Sequence, residues 1–375
     1  MEAVVRLTTN DLLEGFRQAG VIRYYAQQIH TLAQKLTEPL RIMEVCGGHT
    51  HTIMKYGLPQ LMPEAIRFIH GPGCPVCIMP KERIDHAITL ARQPDVILVT
   101  LGDMIKVPGS MVSLQKIRAE GADVRFVYSP LDALKIATDH PQKRVIYFAI
   151  GFETTTPMTA ALIQRALSAG IDNLLVHVNH VVVLEPMMAI MDEGDALIDA
   201  FIGPSHVSVI AGSKIYEPIA ARYQTPVVVS GFEPVDLLQG VEMILRQKLE
   251  GRAEVEIQYT RSVTREGNVK AQEMIDTFFE RAESFRWRGI GDIPHSSLRL
   301  KEAYAFLDAE RIYGEILPAQ SIDDHKLCRC GEILKGKVGP LECPLFGRAC
   351  TPANPIGSCM VSSEGACAAY YKYAR

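Results

Sequence analysis

The alternation of short apolar strands with helices constrains the fold of this chain more than any other feature. From about residue 38 to residue 254, each strand-like run leads into a glycine-rich or polar turn and then a helical pattern. Such alternation is typical of parallel sheets with right-handed crossovers. The sequence predicts two parallel-sheet α/β domains, over 38–130 and 131–254, and a third region of helices and loops over 255–375. The expected strands are Arg41–Val45, Ala65–Ile69, Val96–Thr100, Val124–Tyr128, Arg144–Ile150, Leu174–Val178, Ala200–Ile202 and Pro226–Val229, with Val255–Tyr259 opening the third region.

The first 37 residues form a separate predicted unit, an N-terminal helical segment. Apolar residues recur at spacings of three and four over residues 10–36, Asn10 can cap the start of the helix, and Gly20 marks an expected break. This segment either packs on a domain edge or helps to dock a partner.

The first strand runs into Cys46-Gly-Gly-His49-Thr-His51. Loops that follow the carboxyl ends of parallel strands meet at one edge of a sheet, where ligands bind. The two glycines allow the backbone to approach a ligand closely, and the histidines supply nitrogen donors beside the thiol. A thiolate with imidazole close by suits a transition metal such as iron. The alternative is a buried, inert cysteine with surface histidines.

The second strand runs into Cys74-Pro-Val-Cys77. A C-x-x-C pair at a strand end of an α/β domain is typical of thiol–disulfide exchange. The pair could instead be half of a zinc knuckle, but the sequence contains no second C-x-x-C to complete it. We therefore favour redox exchange.

Six of the nine cysteines are crowded into the third region, at Cys328, Cys330, Cys343, Cys350, Cys359 and Cys367. Four thiolates can hold a 4Fe-4S cluster, and the other two can cycle between dithiol and disulfide beside it. Zinc and a disulfide-only arrangement are the alternatives, although paired C-x-x-C knuckles are absent here. Since neighbours in C-x-C seldom both reach one cluster, one of Cys328 and Cys330 is expected to belong to the redox pair.

Charge and hydropathy exclude several classes of partner. The 39 basic and 43 acidic residues give a net charge of -4, and no Lys/Arg-rich run occurs, so nucleic acid is not an expected partner. The longest apolar stretch, Leu174 to Leu184, is too short and too polar to span a membrane. The N-terminus does not have the pattern of a signal peptide, and we expect a cytoplasmic protein.

Other polar side chains also follow predicted strands. As a group facing one crevice they could support a site or dock a partner, although each alone is more often a structural residue. They are Asp103, Glu153, His177, His180, His206 and Glu233.

Six longer motifs together resemble the HypD family of hydrogenase maturation factors, from about residue 38 to the C-terminus. They are Cys46-Gly-Gly-His-Thr-His51, Gly71-Pro-Gly-Cys-Pro-Val-Cys77, Gly102-Asp-Met104 with Val107-Pro-Gly-Ser110, Gly151-Phe-Glu-Thr-Thr155, Ser230-Gly-Phe-Glu-Pro234 and Met360-Val-Ser-Ser-Glu-Gly-Ala-Cys367. The resemblance implies two Rossmann-like domains and a third domain that holds a 4Fe-4S cluster and is similar to the catalytic part of ferredoxin:thioredoxin reductase.

The resemblance also implies a role in assembling the Fe(CN)2CO group of nickel–iron hydrogenases. The family acts with the small chaperone HypC as a scaffold on which iron receives carbon monoxide, and cyanide from the HypE–HypF system. We expect a monomer in a one-to-one complex with HypC.

The cluster ligands that the resemblance implies are Cys328, Cys343, Cys350 and Cys367, with Cys330 and Cys359 as the adjacent redox pair. Cys46, with His49 nearby, would hold the iron under assembly. Electrons would pass through Cys330 and Cys359 to Cys74 and Cys77.

Two other classes of function compete with this interpretation. One is a stand-alone iron–sulfur oxidoreductase that reduces protein disulfides, which would have no need of the Cys46 loop. The other is a structural iron–sulfur scaffold that only binds partners. Whether the chain is an enzyme or a scaffold with an electron-transfer role is left open by the sequence.

Overall fold

The structure is a computed structural model that describes residues 15–320 and 322–374. Helix α1, Ala19–Ala33, begins after an extended residue at Gln18, so the predicted break lies just before Gly20, which is helical. The predicted cap Asn10 lies outside the described residues. α1 packs against a later helix, Pro234–Glu250, where Gln239 donates a hydrogen bond to the Tyr25 hydroxyl, 2.8 Å away. Within the described part of the chain, no helix is both long and apolar enough to span a bilayer.

The first sheet has five parallel strands in the order β2-β1-β7-β8-β9. This order reverses direction between β1 and β7, as in doubly wound folds, and the crevice at such a reversal is where these folds bind ligands. The strands are β1 (Leu40–Glu44), β2 (Ile66–His70), β7 (Ala200–Pro204), β8 (Val227–Ser230) and β9 (Val255–Ile257).

The second sheet has four parallel strands in the order β4-β3-β5-β6, and it reverses direction between β3 and β5. The three strands β3, β5 and β6 are almost wholly buried, which explains their largely apolar sequences, whereas the edge strand β4 is partly exposed. The four strands of this sheet are β3 (Val96–Leu101), β4 (Val124–Val127), β5 (Arg144–Gly151) and β6 (Leu174–His180).

The predicted α/β class is therefore confirmed, but the boundary predicted at residue 130/131 does not separate the two sheets. The chain builds β1 and β2, leaves to form the whole second sheet over residues 96–180, and returns for β7 and β8. β9 also belongs to the first sheet, although residue 255 was expected to open the third region. Alternation reveals where strands lie in the chain, whereas sheet membership depends on pairing between distant segments.

Helices cover the faces of both sheets. In chain order after α1 they are α2 (Gly47–Lys55), α3 (Leu58–Leu61), α4 (Lys81–Ala91), α5 (Leu114–Ala119), α6 (Asp132–Asp139), α7 (Thr156–Ser168), α8 (Leu184–Asp192), α9 (Ser205–Ala211), α10 (Glu217–Tyr223), α11 (Pro234–Glu250), α12 (Val269–Phe278), α13 (Ala309–Ile312), α14 (Cys330–Leu334) and α15 (Ala366–Tyr373).

The third region has little regular structure. Two antiparallel ribbons pair β10 (Phe279–Arg281) with β13 (Leu298–Leu300) and β11 (Ser284–Trp287) with β12 (Gly291–Pro294). The indole of Trp287 is fully buried and donates to Ser296 Oγ at 2.8 Å, which anchors the second ribbon.

The largest hydrophobic core joins both sheets and the third region. It contains residues of both sheets, such as Met43 and Phe148, together with Trp287 of the third region. Seven of the nine cysteines belong to the same core: Cys74, Cys77, Cys330, Cys343, Cys350, Cys359 and Cys367. The fold therefore brings thiols from distant parts of the sequence into one buried neighbourhood.

Candidate functional site

Cys46 lies at the point where the first sheet reverses direction. It directly follows Val45 at the end of β1 and occupies the N-cap of α2. The loop after β2 passes tightly over it, since a Cβ atom on Gly73 would overlap the backbone nitrogen of Cys46, and the amide of Gly47 donates to the Gly73 carbonyl at 3.3 Å. Glycine at position 73 thus permits the two thiol-bearing loops to lie against each other.

The thiol of Cys46 is half-buried, and its surroundings disfavour the thiolate. Burial and then the charge of Glu364 raise the pKa of Cys46 to about 12, while the backbone amides of Gly48 and His49 act in the opposite direction. Burial and the nearby carboxylate therefore favour the neutral thiol of Cys46 over the thiolate. A bound metal cation would reverse this preference, because metal binding displaces the thiol proton.

His49 is fully buried on the first turn of α2. Its Nε2 lies 3.0 Å from the carbonyl oxygen of Ser230, to which it donates, and its ring packs against Phe232 with 4.6 Å between centroids and a tilt of 32°. Nδ1 is buried without a hydrogen-bond partner. Burial lowers the pKa of His49 to about 4, so the ring is neutral and Nδ1 keeps a free lone pair. His51, in contrast, turns to Tyr373 of α15, with 5.4 Å between ring centroids.

Beneath Cys46 lies a buried carboxylate that the sequence analysis missed. Glu44 accepts hydrogen bonds from the backbone N–H of Cys46 at 3.0 Å, from the Thr50 hydroxyl, and from His70 Nδ1 at 2.7 Å. His70 Nε2 in turn lies 3.3 Å from the hydroxyl of Tyr370 on α15. A glutamate at the end of a mainly apolar strand was the available sequence signal, because buried acids are rare unless their hydrogen bonds are satisfied.

Cys74 and Cys77 form a disulfide in the loop after β2. Both cysteines are almost completely buried. Ser358, the neighbour of Cys359, donates its hydroxyl hydrogen to the carbonyl oxygen of Cys77. The amide of Arg288 donates to the Ile78 carbonyl at 2.8 Å. The disulfide loop is thus held directly against the cysteine-rich part of the third region.

A crevice of about 230 Å³ opens where the second sheet reverses direction, between the ends of β3 and β5. Its walls come from the disulfide loop, both strand ends and the loop before α15: Pro75, Val76, Leu101, Asp103, Met104, Ile150, Gly151, Thr155, Ser362, Ser363 and Glu364. Glu364 also packs on Gly47, where a Cβ atom would overlap its side chain. The crevice therefore borders both the disulfide loop and the Cys46 loop.

The six cysteines of the third region lie close together. Cys359 Sγ and Cys367 Sγ are 3.1 Å apart, and the thiol of Cys359 is the first cause of the raised pKa of Cys330. Burial, followed by the charge of Cys330, raises the pKa of Cys328 to about 12. The charge of Cys343 also raises the pKa of Cys328, and the charge of Cys350 raises the pKa of Cys367. All six thiols therefore share one electrostatic environment.

Comparisons with known proteins point to a single family. The model of the family described as "HypD: Hydrogenase formation hypA family" matches residues 20–374. The chain is 52% identical over 369 residues to the hydrogenase maturation factor HypD of Azotobacter vinelandii, covering 97% of each chain. It is 48% identical over 370 residues to that of Rhizobium leguminosarum bv. viciae, covering 97% of this chain and 95% of the relative. With HypD of Escherichia coli K12, identity is 47% over 354 residues and 94% of each chain.

The chain belongs to the HypD family. The match confirms the resemblance drawn from the motifs and identifies the chain as a hydrogenase maturation factor. The matched segment includes all nine cysteines, from Cys46 to Cys367. It also includes α1 except for the first residue of that helix, Ala19.

Within this HypD-family chain, the cysteine cluster is compatible with metal binding in its donor type but does not form a closed site by itself. Among residues 15–320 and 322–374, no group of three or more His, Cys, Asp and Glu side chains has the arrangement of a metal site. Two features nevertheless favour a ligand among the thiols. A Cβ atom on Gly357 would lie 2.8 Å from Cys328 Sγ, and the amide of Ile356 donates to Cys350 Sγ at 3.3 Å.

The polar residues at other strand ends do not all face one crevice. Of these six residues, only Asp103 lines the crevice at the second sheet. His206 packs against Phe232 with 4.3 Å between ring centroids and a tilt of 50°. The others have structural partners. Glu153 accepts a hydrogen bond from the Val183 amide, and His177 accepts one from the Asn179 side chain. The ring of His180 contacts the Thr159 hydroxyl, and Glu233 forms an ion pair with Arg17.

Proposed function

We propose that this HypD-family protein is the scaffold on which, together with the small chaperone HypC, the Fe(CN)2CO group of nickel–iron hydrogenase is assembled. The observation that carries the proposal is the meeting of three thiol groups from distant segments: Cys46 at the reversal point of the first sheet, the disulfide loop packed over it, and the six-cysteine cluster held against that loop. A purely structural iron–sulfur protein would have no use for the first two.

Cys46 is the proposed protein ligand of the iron that is being assembled, which is the cargo of the scaffold. Its thiol adjoins the crevice-lining Glu364 and deprotonates only when a cation compensates the cost of burying the charge. His49 is the proposed neighbour of this iron, because it carries the free Nδ1 lone pair. A second thiolate from HypC would complete a soft site suited to strong-field diatomic ligands.

The proposed resident cofactor is a 4Fe-4S cluster on Cys328, Cys343, Cys350 and Cys367. The donor set fits this group, since the thiols share one buried neighbourhood, Gly357 leaves room beside Cys328, and an amide already donates to Cys350. When bound, such a cluster supplies single electrons. We also propose that this part of the chain is similar to the catalytic part of ferredoxin:thioredoxin reductase.

Cys330 and Cys359 are the proposed redox pair, and they exchange with the disulfide of Cys74 and Cys77. Oxidation of the first pair to a disulfide releases two electrons and two protons, and reduction of the second pair consumes the same number. The hydrogen bond from Ser358 to the Cys77 carbonyl supports this pairing, because it holds the residue next to Cys359 against the disulfide loop.

Other maturation proteins complete the proposed system. HypE, working with HypF, would deliver cyanide, and the scaffold would act as a monomer in a one-to-one complex with HypC. The crevice between the disulfide loop and the ends of β3 and β5 is the proposed place where a partner presents its group, because it reaches both the Cys46 loop and the disulfide.

Anaerobic purification followed by metal analysis and complementation tests this function. The protein should contain about four irons in the cluster, visible by electron paramagnetic resonance after reduction. Cys46→Ala should retain these irons and the complex with HypC, yet fail to restore hydrogenase activity in a strain that lacks its own HypD. Zinc in place of iron would contradict the cluster, and full complementation by Cys46→Ala would contradict the scaffold.

The stand-alone disulfide oxidoreductase is not favoured. It explains the six-cysteine cluster but leaves the tight contact between Gly73 and the Cys46 loop without a role. The same complementation experiment separates the two functions, since a stand-alone reductase would not depend on Cys46.

A further inference from the structure

His70 occupies a junction of the three thiol-bearing segments. It is the last residue of β2 and lies four residues before Cys74. Through Glu44 it is connected to the backbone of Cys46, and through Tyr370 it is connected to α15, the helix on which Cys367 lies. The ring is 4% exposed, so water does not replace either partner.

The hydrogen bonds fix the direction of this connection. Glu44 accepts from three donors at once, and its side chain is completely buried. Burial raises the pKa of Glu44, and the hydrogen bonds from His70, Thr50 and the Cys46 amide oppose that rise. With Glu44 ionised, the carboxylate only accepts, so Nδ1 of His70 carries the hydrogen in that bond. With the hydrogen on Nδ1, Nε2 faces the Tyr370 hydroxyl as its acceptor. Each polar group in the chain from Tyr370 to the Cys46 amide therefore has a defined partner.

The packing of α15 does not depend on the Tyr370 hydroxyl alone. Tyr373, one turn further along the same helix, contacts His51 of α2, with its hydroxyl 3.5 Å from His51 Nε2. Both tyrosines thus join α15 to the same part of the first domain. Only Tyr370 connects to Glu44 and hence to Cys46.

We propose that His70 and Tyr370 are positioning residues for Cys46, which act through Glu44 and couple the position of the Cys367 helix to that of the Cys46 loop. The functional meaning of this coupling rests on the proposed role of Cys46 as the iron ligand. A change in the surroundings of Cys367 shifts α15, and the hydrogen-bonded chain transmits that shift to the amide of Cys46. Coupling of this kind is reciprocal, so occupation of Cys46 also acts on α15.

Thiol alkylation of the full-length, reduced, metal-free protein tests the coupling without relying on iron. The rate of Cys46 modification by iodoacetamide is followed by peptide mass spectrometry in the wild type, in Tyr370→Phe and in the matched control Tyr373→Phe. We expect Tyr370→Phe to increase the rate about fivefold, equivalent to roughly 1 kcal/mol, the net value of one hydrogen bond. Tyr373→Phe should leave the rate within about twofold of the wild type. Equal rates in all three proteins, or equal increases in both variants, would overturn the proposal.

Two substitutions at His70 test its hydrogen bonds to Glu44 and to Tyr370 separately. Asn can donate from the position of Nδ1 to Glu44 but does not reach Tyr370, whereas Gln reaches toward Tyr370 and leaves Glu44 without that donor. We expect His70→Asn to match Tyr370→Phe, and His70→Gln to expose Cys46 further. If Cys46 in His70→Asn is alkylated at the wild-type rate, Tyr370 has no part in positioning.

Alkylation of a second buried cysteine in the same variants distinguishes positioning from general destabilisation. The proposal requires the alkylation rate of Cys46 to change more than that of buried Cys350, which lies outside the connection. A uniform increase at both cysteines would overturn it. Failure of the protein to bind iron would contradict the proposed function and would leave these rates interpretable.

Discussion

Gly73→Ala is the substitution whose consequence follows most directly from the geometry. The added Cβ atom would overlap the backbone nitrogen of Cys46 and the carbonyl carbon and oxygen of Val45. These are backbone atoms, so no side-chain rotation relieves the overlap. Overpacking costs up to about 3 kcal/mol, and loss of the hydrogen bond from Gly47 to the Gly73 carbonyl adds about 1 kcal/mol. We therefore expect a loss of about 3 to 4 kcal/mol, a large part of the stability of an ordinary domain.

Urea unfolding, with the same slope fitted for wild type and variant, measures this loss. Gly314→Ala is the matched control, since nothing lies within 4 Å of its Cβ position, and it should change the free energy of unfolding by no more than about 0.5 kcal/mol. The variant should also show an altered rate of Cys46 alkylation, because the clash displaces that loop. A Gly73→Ala protein as stable as the control would refute the close packing of the two loops.

Three further outcomes are expected. Burial raises the pKa of Glu153 to about 7, above the unfolded value of about 4.3, so the folded state retains a proton that the unfolded state releases; stability should fall as pH rises from about 5 to 8. Urea unfolding at a series of pH values should show that Glu153→Gln loses less stability than the wild type as the pH rises. An equal loss in both proteins would contradict the role of Glu153. Combined replacement of Cys74 and Cys77 by Ser should abolish hydrogenase maturation while the protein stays folded, and normal maturation would disprove the thiol relay. Gly357→Ala should lower the iron content, because its Cβ atom would lie 2.8 Å from Cys328 Sγ; iron equal to the wild type would exclude a cluster there.

The sequence predicted the strands well because each one is a local signal. The expected Val124–Tyr128 and Pro226–Val229, for example, correspond to β4, Val124–Val127, and β8, Val227–Ser230, with differences of one residue at the ends. Sheet membership was not predictable in the same way. β1 pairs with β7 across more than 150 residues, and no periodicity within either strand records that partner.

The candidate site was predictable to the extent that its residues stand in motifs at strand ends. The rule that such loops converge correctly placed Cys46 near the loop of Cys74. It did not find Glu44, which lies inside a strand, or Tyr370, which comes from the last helix. Their role depends on hydrogen bonds between segments as distant as His70 and Tyr370, and that information is held by the tertiary structure alone.

Infrared spectroscopy of the anaerobically purified complex with HypC, prepared under conditions that support hydrogenase maturation, tests the central claim most directly. We predict stretching bands of bound CN and CO, with about five irons per complex, four in the cluster and one at Cys46. Cys46→Ala should lose the bands and one iron while it keeps the other four. Bands that persist in Cys46→Ala would contradict assembly of the iron group on this residue.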